Sequence, residues 1–149
     1  MKFKFSYQQL LEYRKRLEEL AQRDYLLSRK NVDDAESELE AMYQQIDDSR
    51  KRAQSLEAKG GKQAPSLVLI DDFINNHKIR IELQRKKIRE LHQIAEEKQQ
   101  VLVIAAKEYK ILEKLKERRL LEHKEILKKR EMKSVDELVT TRFKRGDFA

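Results

Sequence analysis

The sequence contains no cysteine, only one proline and only three glycines among 149 residues. Without cysteine, disulfides and thiolate chemistry are excluded. Because proline and glycine are the residues that most often interrupt helices, their scarcity predicts long, continuous helices. No run of about 18 apolar residues could span a membrane, and Met1–Ser6 is not followed by the apolar segment of a signal peptide. We therefore expect a soluble cytoplasmic protein with no membrane insertion.

Charged residues, in contrast, are abundant. They make up 41% of the chain, and this composition is typical of coiled coils and long helices. The net charge of +7 is uneven, since residues 1–75 carry −1 and residues 76–149 carry +8. The basic residues are densest near 107–130, so this part of the chain is expected to prefer an acidic partner surface.

A long apolar stripe dominates the second half of the chain. Its positions alternate in steps of three and four residues, which predicts a helix that winds around a partner helix in a left-handed coiled coil. The stripe consists of Leu67, Ile70, Ile74, His77, Ile81, Gln84, Ile88, Leu91, Ala95, Lys98, Leu102, Ala105, Tyr109 and Leu112.

A first helix is predicted to begin at Ser6, which with Gln9 forms a plausible capping box. The apolar stripe that we assign to this helix has a step of five residues between Leu27 and Val32, so a break in the winding is expected at residues 24–31. The assigned positions are Leu10, Tyr13, Leu17, Leu20, Leu27, Val32, Ala35, Leu39, Met42, Ile46, Ala53 and Leu56.

The two stripes are joined by a short segment that contains Gly60, Gly61 and Pro65. A short connection between two long amphipathic helices makes them antiparallel neighbours. The predicted fold is all-α: a long antiparallel two-helix coiled-coil hairpin whose second helix is longer and overhangs. We expect helix one at residues 6–59, a turn at 60–66, helix two at 67–141 and a frayed tail at 142–149. Position i should lie opposite about position 126 − i, so helix one runs out near Leu120.

Catalytic and cofactor sites are not indicated. Residues 59–62 lack the spacing of a phosphate-binding loop, and adjacent acidic residues on a helix point in different directions. His77, His92 and His123 have no metal-ligand spacing. We predict a protein that is not an enzyme and has no cofactor and no metal.

Two other functions are compatible with this composition. The basic half could bind nucleic acid, but acidic residues are interleaved throughout 107–130, whereas a phosphate-binding helix usually keeps one face free of acids. The overhang could instead dimerise as a structural coiled coil. We favour a protein that is a monomer when isolated and that binds partner proteins and not nucleic acid. The apolar residues near Met42, Tyr43 and Phe73 are either extra core around a wide stripe or a docking site for another protein.

Taken together, these features resemble the flagellar type III export protein family FliJ. The resemblance rests on Met1–Ser6 running into Leu10–Arg14, on Leu112–Arg119, and on Glu131–Leu138 followed by Arg142 and Phe143. The total length and the hairpin layout also agree with this family. The stalk proteins of virulence type III secretion systems are similar and remain an alternative.

The resemblance implies a non-enzymatic component that docks into the central pore of the hexameric export ATPase. It also implies contacts with the cytoplasmic domain of the export-gate protein and with export chaperones, at the cytoplasmic side of the membrane at the flagellar base. The residues expected to face the ATPase are Arg14, Lys114, Lys116, Arg118, Arg119 and Lys124. The residues expected to face the export gate are Glu38, Met42, Tyr43, Gln45, Phe73, His77 and Arg80.

Overall fold

The computed structural model describes residues 2–60 and 63–146. Two long α-helices pack against each other as a hairpin: α1 (Gln8–Glu57) and α2 (Ala64–Lys144). With 81 residues, α2 is much longer than α1, which has 50. The predicted all-helical hairpin with a longer second helix is confirmed.

The helix ends coincide with the few residues that disfavour helix. After α1 ends at Glu57, Gly60 adopts a φ of +95°, a left-handed conformation that favours glycine at a helix C-terminus. Gly61 and Lys62 of the predicted turn lie outside the described residues. Helix α2 begins at Ala64 instead of residue 67, because proline is tolerated in a first helical turn and Pro65 need not delay the helix.

The other two termini also differ from the sequence expectation. Helix α1 begins at Gln8 and not at Ser6, and the Gln8 amide donates to the Phe5 carbonyl at 3.2 Å. Helix α2 continues to Lys144, three residues beyond the expected end, and Gly146 then has a φ of +73°. Residues 147–149 of the expected tail lie outside the described residues.

The chain divides into two compact units, and we describe each by itself. Unit 2 is Glu19–Val103 and has a core of Ile46, Ile74 and Ile81. Every predicted stripe position of α2 in this unit, from Leu67 to Leu102, is buried or half-buried. Even the polar Gln84 fits, since its side-chain amide donates to the Ala35 carbonyl at 2.9 Å. The predicted stripe of α2 is confirmed here.

The predicted break in α1 is wrong. In unit 2 the covered positions Ala21, Tyr25, Ser28, Val32 and Ala35 keep the three-four spacing through residues 24–31. The predicted stripe members Leu20 and Leu27 are exposed. The hydroxyl of Ser28 donates to the Tyr25 carbonyl at 2.6 Å, which satisfies this polar group within its own helix and permits its burial.

Unit 1 consists of Met1–Glu18 and Ile104–Ala149. Its buried apolar residues are Phe5, Leu11 and Ala105. The predicted position Leu17 is half-buried, but Leu10 and Tyr13 are exposed and Leu11 is buried instead, so the α1 stripe was assigned incorrectly at Leu10 and Tyr13.

In unit 1, the part of α2 that packs against other residues extends beyond Leu120, the limit expected from the sequence. Phe3, which precedes α1, packs its ring against that of His123 with a centroid distance of 5.5 Å. Leu127 is still half-buried, and every residue from 128 to 146 is exposed. The pairing therefore passes the expected limit at Leu120, because the nonhelical residues before α1 add contacts of their own.

Candidate partner-binding surfaces

The residues that the sequence predicts to bind partner proteins lie in both units of the described chain. Across residues 2–60 and 63–146, no three His, Cys, Asp or Glu side chains come together in a group that could hold a metal ion. No helix in this part of the chain is both long and apolar enough to cross a membrane. The predicted residues form a basic set in unit 1 and a mixed set in unit 2.

Three of the six basic residues predicted to face the ATPase make contacts within unit 1. Arg14 forms an ion pair with Glu108. The Lys116 ammonium donates to Gln8 Oε1 at 2.8 Å. These contacts tie α2 to the first turns of α1.

Arg119 holds the segment that leads into α1. Its guanidinium donates to the Ser6 hydroxyl at 3.1 Å and lies 5.4 Å from the centre of the Tyr7 ring, within the range of a cation–π contact. Phe5 beside it is buried and meets Tyr7 edge to face. Arg119 is itself exposed and thus links α2 to the segment before α1 at the surface of unit 1, a contact that the sequence pattern did not reveal.

The other three predicted residues, Lys114, Arg118 and Lys124, are exposed. They precede an exposed segment, residues 128–146, which is helical to Lys144 and has seven basic and three acidic residues. A cationic, solvated surface of this kind attracts acidic partners.

Sequence reasoning missed an apolar face on that segment. Its exposed large apolar residues are Met132, Val135, Leu138, Val139 and Phe143. Their spacing of mostly three and four residues places them on one side of a helix, so the periodicity itself could have revealed them. A helix that is apolar on one side and uncovered in the isolated chain indicates a contact with another molecule.

In unit 2, part of the set predicted to face the export gate belongs to the interior. His77 is buried and stacks on Phe73 with ring centroids 4.8 Å apart. Met42 packs against the Ile46, Ile74 and Ile81 core. Glu38 accepts a hydrogen bond of 3.1 Å from the Gln84 side chain. His77 and Met42 thus lie in the interface between the two helices, whereas Glu38 is exposed and contacts α2 through this hydrogen bond.

Gln45 and Phe73 come together at the surface. They line an open groove of about 430 Å³ whose other walls include Asp48, Arg52 and Leu69. Phe73 is 43% exposed there. The groove thus combines an accessible aromatic ring with charged residues.

Tyr43 and Arg80 do not line this groove. The Tyr43 hydroxyl accepts a hydrogen bond from Arg85, whose guanidinium also lies 5.7 Å from the ring centre. Tyr43 lines a separate depression with Ile46 and Lys78, and Arg80 is exposed. Of the seven predicted residues, Gln45 and Phe73 thus line one depression and Tyr43 lines another.

Comparison with known proteins gives a single positive result. The model of the family described as "Flagellar FliJ protein" matches residues 3–147. No similar protein was found among curated proteins, and no similar structure among solved ones. The family match spans nearly the whole chain. This chain therefore belongs to the family of flagellar FliJ proteins, non-catalytic components of the flagellar type III export apparatus.

Proposed function

We propose that this protein docks its unit 1 end into the central pore of the hexameric flagellar export ATPase. Through unit 2 it contacts the cytoplasmic domain of the export-gate protein and the export chaperones. It acts in the cytoplasm at the base of the flagellum. The observation that carries the ATPase contact is the segment 128–146, which is helical to Lys144, exposed throughout and basic.

Two physical features support an insertion of this end into a pore. A helix already formed in the free chain loses less conformational entropy on docking than a disordered segment would. Its apolar side chains can be buried against a pore wall, while the basic residues pair with acidic groups of that wall. Lys114, Arg118 and Lys124 extend the basic surface and are exposed.

Reversing the charge of Lys114, Arg118 and Lys124 to Glu should weaken binding to the hexameric export ATPase about tenfold. Helical content should not change, because all three side chains are exposed. The measurement is the affinity of the labelled full chain for the ATPase hexamer at two salt concentrations. The difference from wild type should shrink at the higher salt, since salt screens exposed charges.

A variant with Arg50, Lys51 and Lys59 changed to Glu provides the matched control. These exposed residues lie in unit 2, and their reversal changes the net charge by the same amount. It should bind the ATPase like wild type. If both variants lost affinity equally, attraction by net charge would replace docking as the explanation.

The gate contact is proposed to use the groove lined by Gln45 and Phe73. Phe73→Ala should reduce binding to the cytoplasmic domain of the gate protein about tenfold, because an accessible aromatic ring is a common anchor of interfaces. Binding to the ATPase should not change. Both affinities can be measured with the purified full chain.

Ile94→Ala is the control for this variant. Ile94 is in the same unit, is 45% exposed and does not line the groove. It should leave the gate affinity at the wild-type value. A Phe73→Ala chain that lost the ATPase as well would contradict the use of separate surfaces for the two partners.

A further inference from the structure

We infer that a patch on the outer side of α2, in unit 2, binds an acidic amphipathic helix of another protein. We call it the α2 patch, and it consists of Lys78, Ile79, Leu83, Lys86 and Arg89. None of these residues belongs to the groove of Gln45 and Phe73. The inference goes beyond the ATPase and gate contacts and does not depend on them.

The floor of the α2 patch is apolar. Ile79 and Leu83 are 63% and 64% exposed and are four residues apart, so they are neighbours on one face of the helix. Ile81 and Gln84, by contrast, are buried on the face toward α1. Together with the basic side chains and Glu82, the two aliphatic residues line a shallow depression of about 500 Å³.

The rim of the α2 patch is cationic. In the described part of the chain no carboxylate lies within ion-pair distance of Lys78, Lys86 or Arg89. The one acidic residue at the rim, Glu82, pairs with Arg85 at 3.1 Å. Residues 78–89 as a whole contain six basic residues and this one acid. Acidic side chains on both sides of an apolar ridge are the complement of such a surface.

The other helix of unit 2 has the opposite charge. Residues 31–49 of α1 contain seven acidic and no basic residues. The acidic residues of this segment repel an acidic helix, and the basic residues of the α2 patch attract it. The two charge distributions therefore favour an acidic partner and direct it to the α2 patch.

A second copy of this chain fits the patch less well. Its acidic segment 31–49 has the right charge, but the apolar residues of that segment are turned inward. Val32, Ala35, Leu39, Met42 and Ile46 are buried or half-buried, and Tyr43 is held by Arg85. Apart from Tyr43, which is 38% exposed and engaged by Arg85, that surface offers no large apolar side chain to Ile79 and Leu83. The occupant is therefore a helix that carries its own exposed leucine or isoleucine residues between acids.

A synthetic peptide can test this directly. The probe is a fluorescein-labelled helix of about four turns with Leu on one face and Glu on the others. It is titrated with the full chain, and fluorescence anisotropy is measured. We expect saturable binding that Ile79→Ala with Leu83→Ala weakens about tenfold or more.

Val68→Ala with Val101→Ala is the matched control, because both valines are exposed aliphatic residues of α2 in the same unit and neither lines the depression. It should bind the peptide like wild type. A chain with Lys78, Lys86 and Arg89 changed to Glu should lose the acidic peptide and bind a peptide with Lys in place of Glu.

Three results would overturn the inference. The first is equal affinity of the wild-type chain for the acidic and the basic peptide. The second is equal weakening in the valine control. The third is self-association of the chain in sedimentation velocity that the peptide displaces and that Ile79→Ala with Leu83→Ala abolishes, since the occupant would then be a second copy.

Discussion

Replacing Ile81 with alanine is expected to lower the free energy of unfolding of unit 2 by about 2–5 kcal/mol, the usual cost of a buried Ile-to-Ala truncation. Ile81 is 5% exposed and forms the core cluster with Ile46 and Ile74. Leu39, Met42 and Ile70 pack against the same cluster. The truncation removes contacts within this buried cluster, and we therefore expect a clear loss.

Ile79 provides a control of the same residue type only two positions away. It lies on the opposite side of α2 and is largely exposed, so Ile79→Ala should change the free energy of unfolding by no more than about 0.5 kcal/mol. Urea unfolding followed by circular dichroism gives both values, and amide hydrogen exchange assigns the change to residues 19–103. Similar losses for the two variants would mean that the face of α2 toward α1 has been assigned incorrectly.

The face of α2 could be predicted because its stripe is filled by large apolar residues with few exceptions. Ile70, Ile74, Ile81 and Ile88 establish the period, so that period also located the buried Gln84. The alignment of the helices followed from the short turn. In unit 1, Gln8 contacts Lys116, Ser6 contacts Arg119 and Phe3 contacts His123, all within two residues of the expected pairing.

The predicted α1 stripe is confirmed from Val32 to Leu56, where every assigned position is buried or half-buried. Before Val32 the face of α1 could not be predicted in the same way, because side-chain size does not reveal burial when small residues occupy the interface. Ala21 and Ser28 are buried, and Leu20 and Leu27 beside them are exposed. Two helices approach closely where the facing side chains are small, so alanine and serine fit positions where leucine would have to be displaced. A stripe chosen by apolar size was therefore shifted by one residue, and this shift produced the false break at 24–31.

For charged residues too, the sequence did not show which side chains contact the other helix. Sequence indicated a basic region, but not that Lys116 contacts Gln8 and Arg119 contacts Ser6. Adjacent basic residues on a helix differ in direction by about 100°, so their roles depend on which of them meets a partner across the helix pair. Family membership does not resolve this either, since it describes the whole chain and not the individual side chains.

Because Leu11 and not Leu10 is buried in the structure, truncation of Leu11 is expected to have the second large effect on stability. Leu11→Ala should lower the free energy of unfolding of unit 1 by about 2–4 kcal/mol, whereas Leu10→Ala should cost less than about 1 kcal/mol. The two residues are chemically identical and adjacent, but Leu11 is 7% exposed and Leu10 is 40% exposed. Alanine preserves helix propensity at both positions, so the difference between the variants reports on packing alone.

Hydrogen exchange can localise this effect. In the Leu11→Ala chain, amides of residues 8–18 and 104–127 should exchange faster, and amides of residues 19–103 should keep their protection, if unit 1 opens independently.

The consequence for function follows from the contacts of Lys116 and Arg119, which hold the first residues of α1 against α2. Loss of these contacts in the Leu11→Ala chain would release the side chains of Lys116 and Arg119. It would also disorder the end of unit 1 that is proposed to enter the ATPase. Leu11→Ala should therefore lower ATPase affinity, Leu10→Ala should leave it nearly intact, and the reverse order would assign α1 to the originally predicted face.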